Sequence, residues 1–575
     1  MHPGANYQPL AETMTRRQVY LLLFSLMVTL FIGALDQTVV STAAPRILAD
    51  LKGFNLLSWM FTSYMLTSTI VIPLVGKLGD LFGRKLFLMG GVLFFMIASA
   101  ACGAAPSMGA FIAFRFLQGL GGGMIFASVF ATLGDMFSPA DRGKYIGFFT
   151  GTFSLASILG PTLGGLITDS LSWRWIFYLN IPVGLIAIPA IYMNLPAKAR
   201  GLKVKIDFLG AALLSGASVA FLMAMVWAGD KYAWGSPEII GLLVTATVLT
   251  AAFIFQERRH PEPILPLHLF RNQVFLLSNL VVFTFGLGVF GAFQYLGLFV
   301  QTALGASATA SGIVTTPQSA GVLITSILGG QIISRTGKYK RQTVAGTLLI
   351  AAAMALLRMV DADIPKVQIA AYMVVLGLGF GLVLPTMSLI VQNAVSPQYI
   401  GVASSSSQFF RQIGSVMGIA IFGVVLAHTY EAELKDRITP DDRAAIAAAD
   451  PVILTELEDP TLRLNDREWA TISGEITAIA GGTEILARAS RAQDESVSVA
   501  MQYIFTGALI AALLSAIFAI LMKELPLRRG AAMPQRTPGA PVAAGAGPGA
   551  QGGPPASPIQ SQARPEQEPG GGGSS

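Results

Sequence analysis

Asp36 and Arg115 each stand inside an otherwise apolar run, the first in LFIGALDQTVV and the second in FIAFRFLQGL. Insertion scales put an ionised Asp at the centre of a membrane helix near +2.5 to +3.5 kcal/mol, so a carboxylate kept there points to function. The chemistry open to it is reversible protonation, a proton taken up on one face of a membrane and released on the other. The competing reading of Asp36 is a carboxylate in an aqueous vestibule with a capping role. Arg115 must meet a carboxylate, a carbonyl or water, and a purely structural hydrogen-bonding arginine is its alternative. Arg411 is a similar case further along the chain. A third group, GKLGDLFGRK, joins Asp80, Arg84 and Lys85 to Gly76 and Gly83 at a helix end, where glycine permits a tight turn.

Other chemistries find little support. The one cysteine, Cys102, excludes an intrachain disulfide and a thiolate cluster, and four scattered histidines argue against zinc. No metal or cofactor is expected. Gly119–Gly123 is glycine-rich but lies in an apolar stretch with no strand before it, so it is no dinucleotide loop. Neither a Walker A lysine motif nor a nucleophile–base pair is visible, which argues against an ATP-driven protein and against an enzyme.

The elements that carry these residues follow from composition. Of 575 residues, 53% are hydrophobic and 12% charged, against about a quarter charged in soluble proteins. Fourteen apolar stretches recur, near 19–40, 54–76, 86–104, 109–132, 145–168, 175–194, 208–228, 238–256, 273–300, 309–333, 342–360, 367–394, 400–427 and 498–522. Each is long enough to cross a hydrocarbon layer as a helix. The fold class is therefore an all-α polytopic membrane protein. Lysines and arginines such as Arg84, Lys85, Arg142, Lys144, Arg335 and Lys338 crowd alternate loops, which puts both termini on the cytoplasmic side. The net charge of +6 is weak support for nucleic acid, and none is expected as a partner.

The organisation expected is a cytoplasmic N-terminus (1–18), a six-helix bundle (19–194), two inserted spans (195–260) and a second six-helix bundle (261–525). Within the last, residues 428–497 form the only long loop, acidic and outside; its bland reading is a solvated loop, with a small helical cap as the alternative. The Ala/Gly/Pro-rich tail (526–575) cannot bury enough apolar area to fold and is expected to be disordered. GKLGDLFGRK between spans 2 and 3 aligns with GQIISRTGKYK between spans 10 and 11, Asp80 facing Ser334. The bundles are thus internal repeats, which suits transport by alternating access.

On these residues the chain resembles the 14-span drug:proton antiporters of the major facilitator superfamily. The resemblance rests on LDQTVVSTAAP (35–45), GKLGDLFGRK (76–85), RFLQGLGGG (115–123) and GTFSLASILGPTLGG (151–165), with weaker matches at WRWIFYLNIP (173–182) and GVASSSSQFFRQIGSVMG (401–418). It implies two six-helix bundles plus two inserted helices, and proton coupling at Asp36 with Arg115 tuning or relaying the proton. It implies a conformational latch at Gly76, Asp80, Gly83, Arg84 and Lys85, in which Asp80 meets a helix N-terminus of the opposite bundle in the outward-open state. It also implies an antiporter-motif bend at Gly151, Gly160, Pro161, Gly164 and Gly165. Trp59, Tyr64, Phe293, Tyr295 and Arg411 are candidates for an amphiphile cavity.

The expectation is proton-coupled efflux of small amphipathic compounds across the cell inner (plasma) membrane by a monomer, with the proton gradient as energy source. The alternative is a proton-coupled exporter of lipids or lipid conjugates. Asp36 is the clearest intramembrane acid of the first bundle and spans 9–14 lack one in their apolar stretches. Monocationic, neutral or zwitterionic amphiphiles are therefore expected to be preferred over rigid dications.

Overall fold

Apolar runs this long can satisfy their backbone N–H and C=O groups in lipid only as helices, and helices are what the computed structural model contains. It describes residues 9–51, 56–196, 206–229, 231–306, 308–460, 462–464 and 466–527. The tail reading for 526–575 falls almost wholly outside these residues.

Six helices make the first bundle: α1 (Arg16–Leu51), α2 (Leu57–Phe82), α3 (Arg84–Gly103), α4 (Met108–Met136), α5 (Pro139–Ser170) and α6 (Asn180–Asn194). The inserted pair is α7 (Phe208–Trp227) and α8 (Pro237–Glu257). The second bundle has α9 (Gln273–Thr302), α10 (Ala308–Thr336), α11 (Lys340–Leu357), α12 (Lys366–Asn393) and α13 (Ile400–Arg437). After α14 (Pro440–Ala449), α15 (Pro451–Leu457) and α16 (Asp466–Thr477), it closes with α17 (Gly482–Leu521). A π-helical turn, Gly286–Phe290, interrupts α9.

Among the described residues, twelve helices are long and apolar enough to cross a membrane. The two sequence stretches outside this set, 309–333 and 342–360, form α10 and α11. Both are helical, but Ser, Thr, Gly and Gln dilute α10, and α11 opens on Lys340, Arg341 and Gln342. Apolar side chains exposed along α8, such as Ile240, Val244, Val248 and Phe255, form the surface that lipid would cover.

The bundles meet along two lines, α2 against α13 and α5 against α10, while α7 touches both α2 and α13. Within the first bundle α1 packs on α5, and α4 on both α2 and α3. These helices position Asp36 and Arg115.

The 428–497 segment is not the solvated loop of the bland reading. α13 and α17 run on past their apolar parts, and three helices between them share an apolar core of Ile446, Ile453, Leu457, Ile472, Ile476 and Ile485. Thr439 starts α14 by accepting a bond from the Asp442 backbone N–H, with Pro440 at the first turn where its missing N–H costs nothing. Tyr430 on α13 donates its hydroxyl to the Leu457 carbonyl at 2.9 Å. Asp442 then ties α14 to α17, accepting from Arg488 Nε at 2.9 Å and Nη2 at 2.6 Å. Of the acids of this segment, Glu431, Glu433, Asp442, Glu458, Glu484, Asp494 and Glu495 stand in ion pairs.

The Arg488 guanidinium beside Asp442 holds that carboxyl below the usual carboxylate range. A depressed folded pKa contributes stability that is present above the ordinary Asp value and lost as pH falls through the folded one. Asp442→Asn should speed amide exchange across α14 roughly two- to fivefold at neutral pH. The gap to the parent should close below pH about 4. Hydrogen–deuterium exchange at the two pH values is the measurement; equal exchange at neutral pH would mean that the pair does not hold the cap.

Candidate functional site

Arg115 lies near the start of α4 and Asp36 late in α1, and the bundle brings them into contact. Arg115 Nη1 donates to Asp36 Oδ2 at 2.6 Å, with the two side chains 2% and 1% exposed. A charge this deep needs its remaining lone pairs and protons satisfied as well. Gln118, one turn on from Arg115, accepts from the guanidinium at 2.8 Å and donates to Asp36 Oδ1 at 2.8 Å. Asn180 at the start of α6 donates to the same Oδ1 at 3.3 Å and to Ser99 Oγ at 2.9 Å. Ser99 in turn donates to the Phe177 carbonyl at 2.8 Å. The Arg115 guanidinium lies over the Tyr64 ring at 4.5 Å, and its Nε reaches the Met60 carbonyl at 3.4 Å.

The cluster is thus neutral overall and drawn from five helices. Sequence reading missed Gln118, Asn180 and Ser99. Gln118 had a signal, since i and i+3 share a helix face and it follows Arg115 in RFLQG. Asn180 sits in WRWIFYLNIP, a stretch that by itself names no partner.

The second site lies at the opposite end of α3. Eighteen residues separate Arg84 from Cys102, roughly 27 Å of helix at 1.5 Å per residue. Here Asp80, at the end of α2, crosses to the other bundle. Its Oδ1 accepts the Gly401 N–H and its Oδ2 the Val402 N–H, both at 2.9 Å. These are unpaired donors of the first turn of α13, where the helix dipole also favours an anion. Arg84 pairs with Asp80, donates to Asp135 Oδ2 at 3.0 Å and reaches the Gly76 carbonyl at 3.3 Å.

The close approach depends on glycine. A Cβ on Gly76 would lie 2.1 Å from Ser405 Oγ, and one on Gly401 would lie 2.4 Å from the Gly76 carbonyl oxygen. Gly83 turns the chain between α2 and α3 with φ +92°, a conformation that side-chain-bearing residues rarely adopt. Lys85 does not join this group; it donates to the Tyr192 carbonyl at 2.6 Å at the end of α6.

The family model of the Major Facilitator Superfamily matches residues 26–419. The chain belongs to that superfamily. A multidrug transporter protein of Bacillus subtilis, MdtP, is 40% identical over 420 residues, covering 73% of this chain and 77% of that protein. Multidrug resistance protein 3 of the same organism is 34% identical over 427 residues, covering 74% and 83%. A solved proton:xylose symporter, XylE, superposes with a TM-score of 0.56 at 13% identity, covering 90% of this chain and 98% of that one, a likeness of fold. This major facilitator protein is a transporter and not an enzyme.

The transporter's repeats close differently at the Asp80 end. Where Ser334 replaces Asp80, α10 meets α5 with glycine against glycine: a Cβ on Gly330 would lie 2.3 Å from the Gly143 carbonyl oxygen. The charged partner comes instead from Arg142, which is 1% exposed. It donates to Gln392 Oε1 on α12 at 3.0 Å and to the Phe137 carbonyl at 3.0 Å. Gln392 donates onward to Ser404 at 2.8 Å. Arg142 reads in the sequence as a loop charge that sets topology, and nothing local marks it as a bundle contact.

Of the antiporter-motif residues, Gly151 packs on Leu323 of α10, while Gly160 and Gly164 pack on Thr38 and Val39 of α1. Gly165 faces open space, and the side chain of Pro161 lies outside the described ones. The motif therefore seats α5 directly against the helix that bears Asp36.

The cavity candidates are not gathered in one place. Trp59 packs edge-on to Trp227 of α7, and Tyr64 is taken up by Arg115. Tyr295 donates to the Ile419 carbonyl at 2.6 Å, and Phe293 is half-buried against the main core. Arg411 lies over Phe290, 5.2 Å from its ring centre.

Asp80→Asn removes the charge that holds the α13 N-terminus and presents a donor where two N–H groups already point. A cysteine at position 405, in a Cys102→Ser background, is buried against Gly76 when the latch is shut. Its labelling by a water-soluble maleimide should rise about tenfold with Asp80→Asn, the effect of losing one charge-assisted bond. Unchanged labelling would remove the latch.

Proposed function

We propose that the protein is a proton-coupled antiporter that exports small amphipathic compounds by alternating access. The single observation that carries this reading is the buried Asp36–Arg115 pair with its Gln118 and Asn180 partners. A neutral cluster of this kind is set to change when a proton arrives. Protonating Asp36 removes the charge that Arg115 neutralises, and breaking a buried pair costs about 3–5 kcal/mol unless the guanidinium finds new partners. Rearrangement of α1, α4 and α6 around Arg115 supplies them, and α5, seated on α1 through Gly160 and Gly164, transmits the movement. The Asp80 latch, roughly 27 Å away along α3, is the element whose opening alternates with it.

The names of the Bacillus relatives support a multidrug substrate range, and in this proposal that range extends to antibiotics. In this proposal α10 and α11 cross the bilayer with the twelve more apolar helices, giving fourteen crossings of the cytoplasmic membrane with both termini on its cytoplasmic side. On the same reading the Asp80 end is the cytoplasmic end, and the contact made there supports an arrangement closed to the cytoplasm. The proton gradient is the only energy source, no bound cofactor takes part, and one chain suffices.

Asp36→Asn keeps the volume of the side chain but carries no proton, and its amide NH2 faces a donor in place of one carboxylate oxygen. In proteoliposomes under an imposed pH gradient, it should cut uphill transport of an amphipathic dye about a hundredfold, the equivalent of ~3 kcal/mol. Exchange of dye without a gradient should persist. Undiminished uphill transport would refute the coupling role of Asp36.

A further inference from the structure

Two arginines lie at membrane depth, and their surroundings differ. Arg115 is met by a carboxylate, an amide, a carbonyl and an aromatic face. Arg411 on α13 has Gln408 Oε1, at 3.1 Å from Nε and 2.9 Å from Nη2, and the Phe290 ring. A guanidinium carries five N–H donors. Two of them point at Gln408, and the other three have no acceptor among the described residues. No acid stands opposite. Residues 273–302 of α9 carry no charge at all, α12 has none beyond Lys366, and Arg411 is the one charged residue of α13 between 400 and 427.

The helical wheel of α13 decides which way Arg411 faces. Gln412 accepts from Thr69 of the first bundle at 2.7 Å, so its side of α13 fronts that bundle. Gly414 and Gly418 pack against the α9 backbone at Phe283 and Leu287. At 100° per residue, Arg411 falls in the sector between these two contact lines. The same sector holds Ser404, which is met by Gln392 of α12. Arg411 and Gln408 thus front the interior between the bundles, half-buried, beside the π-helical turn of α9 that presents Phe290.

We infer that Arg411, with Gln408, is a substrate-binding site for the oxyanion of an amphiphile, a carboxylate above all, whose apolar body lies against Phe290. The inference rests on the antiporter reading and narrows its substrate class. A planar guanidinium fork matches a carboxylate through two parallel charge-assisted bonds, and a bound anion supplies the neutralising charge that the second bundle lacks. Asp36 is engaged by Arg115 and does not compete for Arg411. The substrates preferred are therefore anionic or zwitterionic amphiphiles rather than the monocations that an acid count alone admits.

The test uses the full chain in lipid nanodiscs, with empty nanodiscs as the control. Three probes share one body: 11-(dansylamino)undecanoate, its primary amide, and the corresponding trimethylammonium. The carboxylate should bind about tenfold more tightly than the amide, with the ammonium weakest. Arg411→Gln should bring the carboxylate down to the amide's affinity and leave the amide unchanged, while Arg411→Lys should keep a preference for the anion. Equal binding of carboxylate and amide by the parent protein would overturn the inference, as would a preference that survives Arg411→Gln. The parent's ranking decides by itself if Arg411→Gln does not fold. Gradient-driven transport of the amide with no charge preference would overturn this inference and leave the antiporter reading standing. Arg411-dependent binding of the carboxylate without gradient-driven transport would support the site and overturn antiport.

Discussion

A charge carried into an apolar helix bundle has to be met by something, and the internal geometry of this protein is organised around that requirement. Asp36 and Arg115 come from helices that are not neighbours in sequence, and each would be untenable without the other. Gln118 and Asn180 add two further bonds to the carboxylate, both at Oδ1. The shared bonds define how α1, α4 and α6 sit together. A change of one proton is then felt by three helices at once.

The same requirement operates at the far end of the bundles with a different solution. Asp80 is paired with Arg84 of its own bundle and accepts also from backbone N–H groups of a helix N-terminus in the opposite bundle, so its full set of partners depends on the two bundles being closed there. A pair inside one bundle holds that bundle rigid. A charge satisfied across the bundle interface reports, and favours, one arrangement of the two. Glycines at 76, 143, 330 and 401 permit the approach, and the carboxylate on one repeat and Arg142 near the other give it polar specificity. The repeats are therefore alike in shape and unlike in charge.

The cap formed by α14, α15 and α16 obeys soluble-protein rules. Its helices have a capping threonine, prolines at first turns, an isoleucine-rich core and exposed ion pairs. It prolongs α13, the helix that bears both the Asp80 contact and Arg411, and joins it to α17 through Arg437 and Glu495 at 2.8 Å. Movement of α13 must therefore carry the cap with it.

Hydropathy is a property of single residues summed along the chain, so the sequence alone determined where the membrane helices run and which charges are out of place within them. It marked Asp36, Arg115 and Arg411 for that reason, and the glycine pattern marked Asp80 and the repeat. Partner choice is another matter, because it depends on how helices pack. The contact of Asp36 with Asn180 spans 144 positions, and that of Asp80 with Gly401 spans 321. Lys85 and Arg142 look alike as loop cations, yet one caps α6 and the other joins the bundles. Trp59 and Tyr64 look alike as candidates for a cavity, yet one packs on α7 and the other on Arg115. Only the tertiary structure decided these, since a side chain's type fixes what it can bind, and the geometry of close packing fixes what is within its reach.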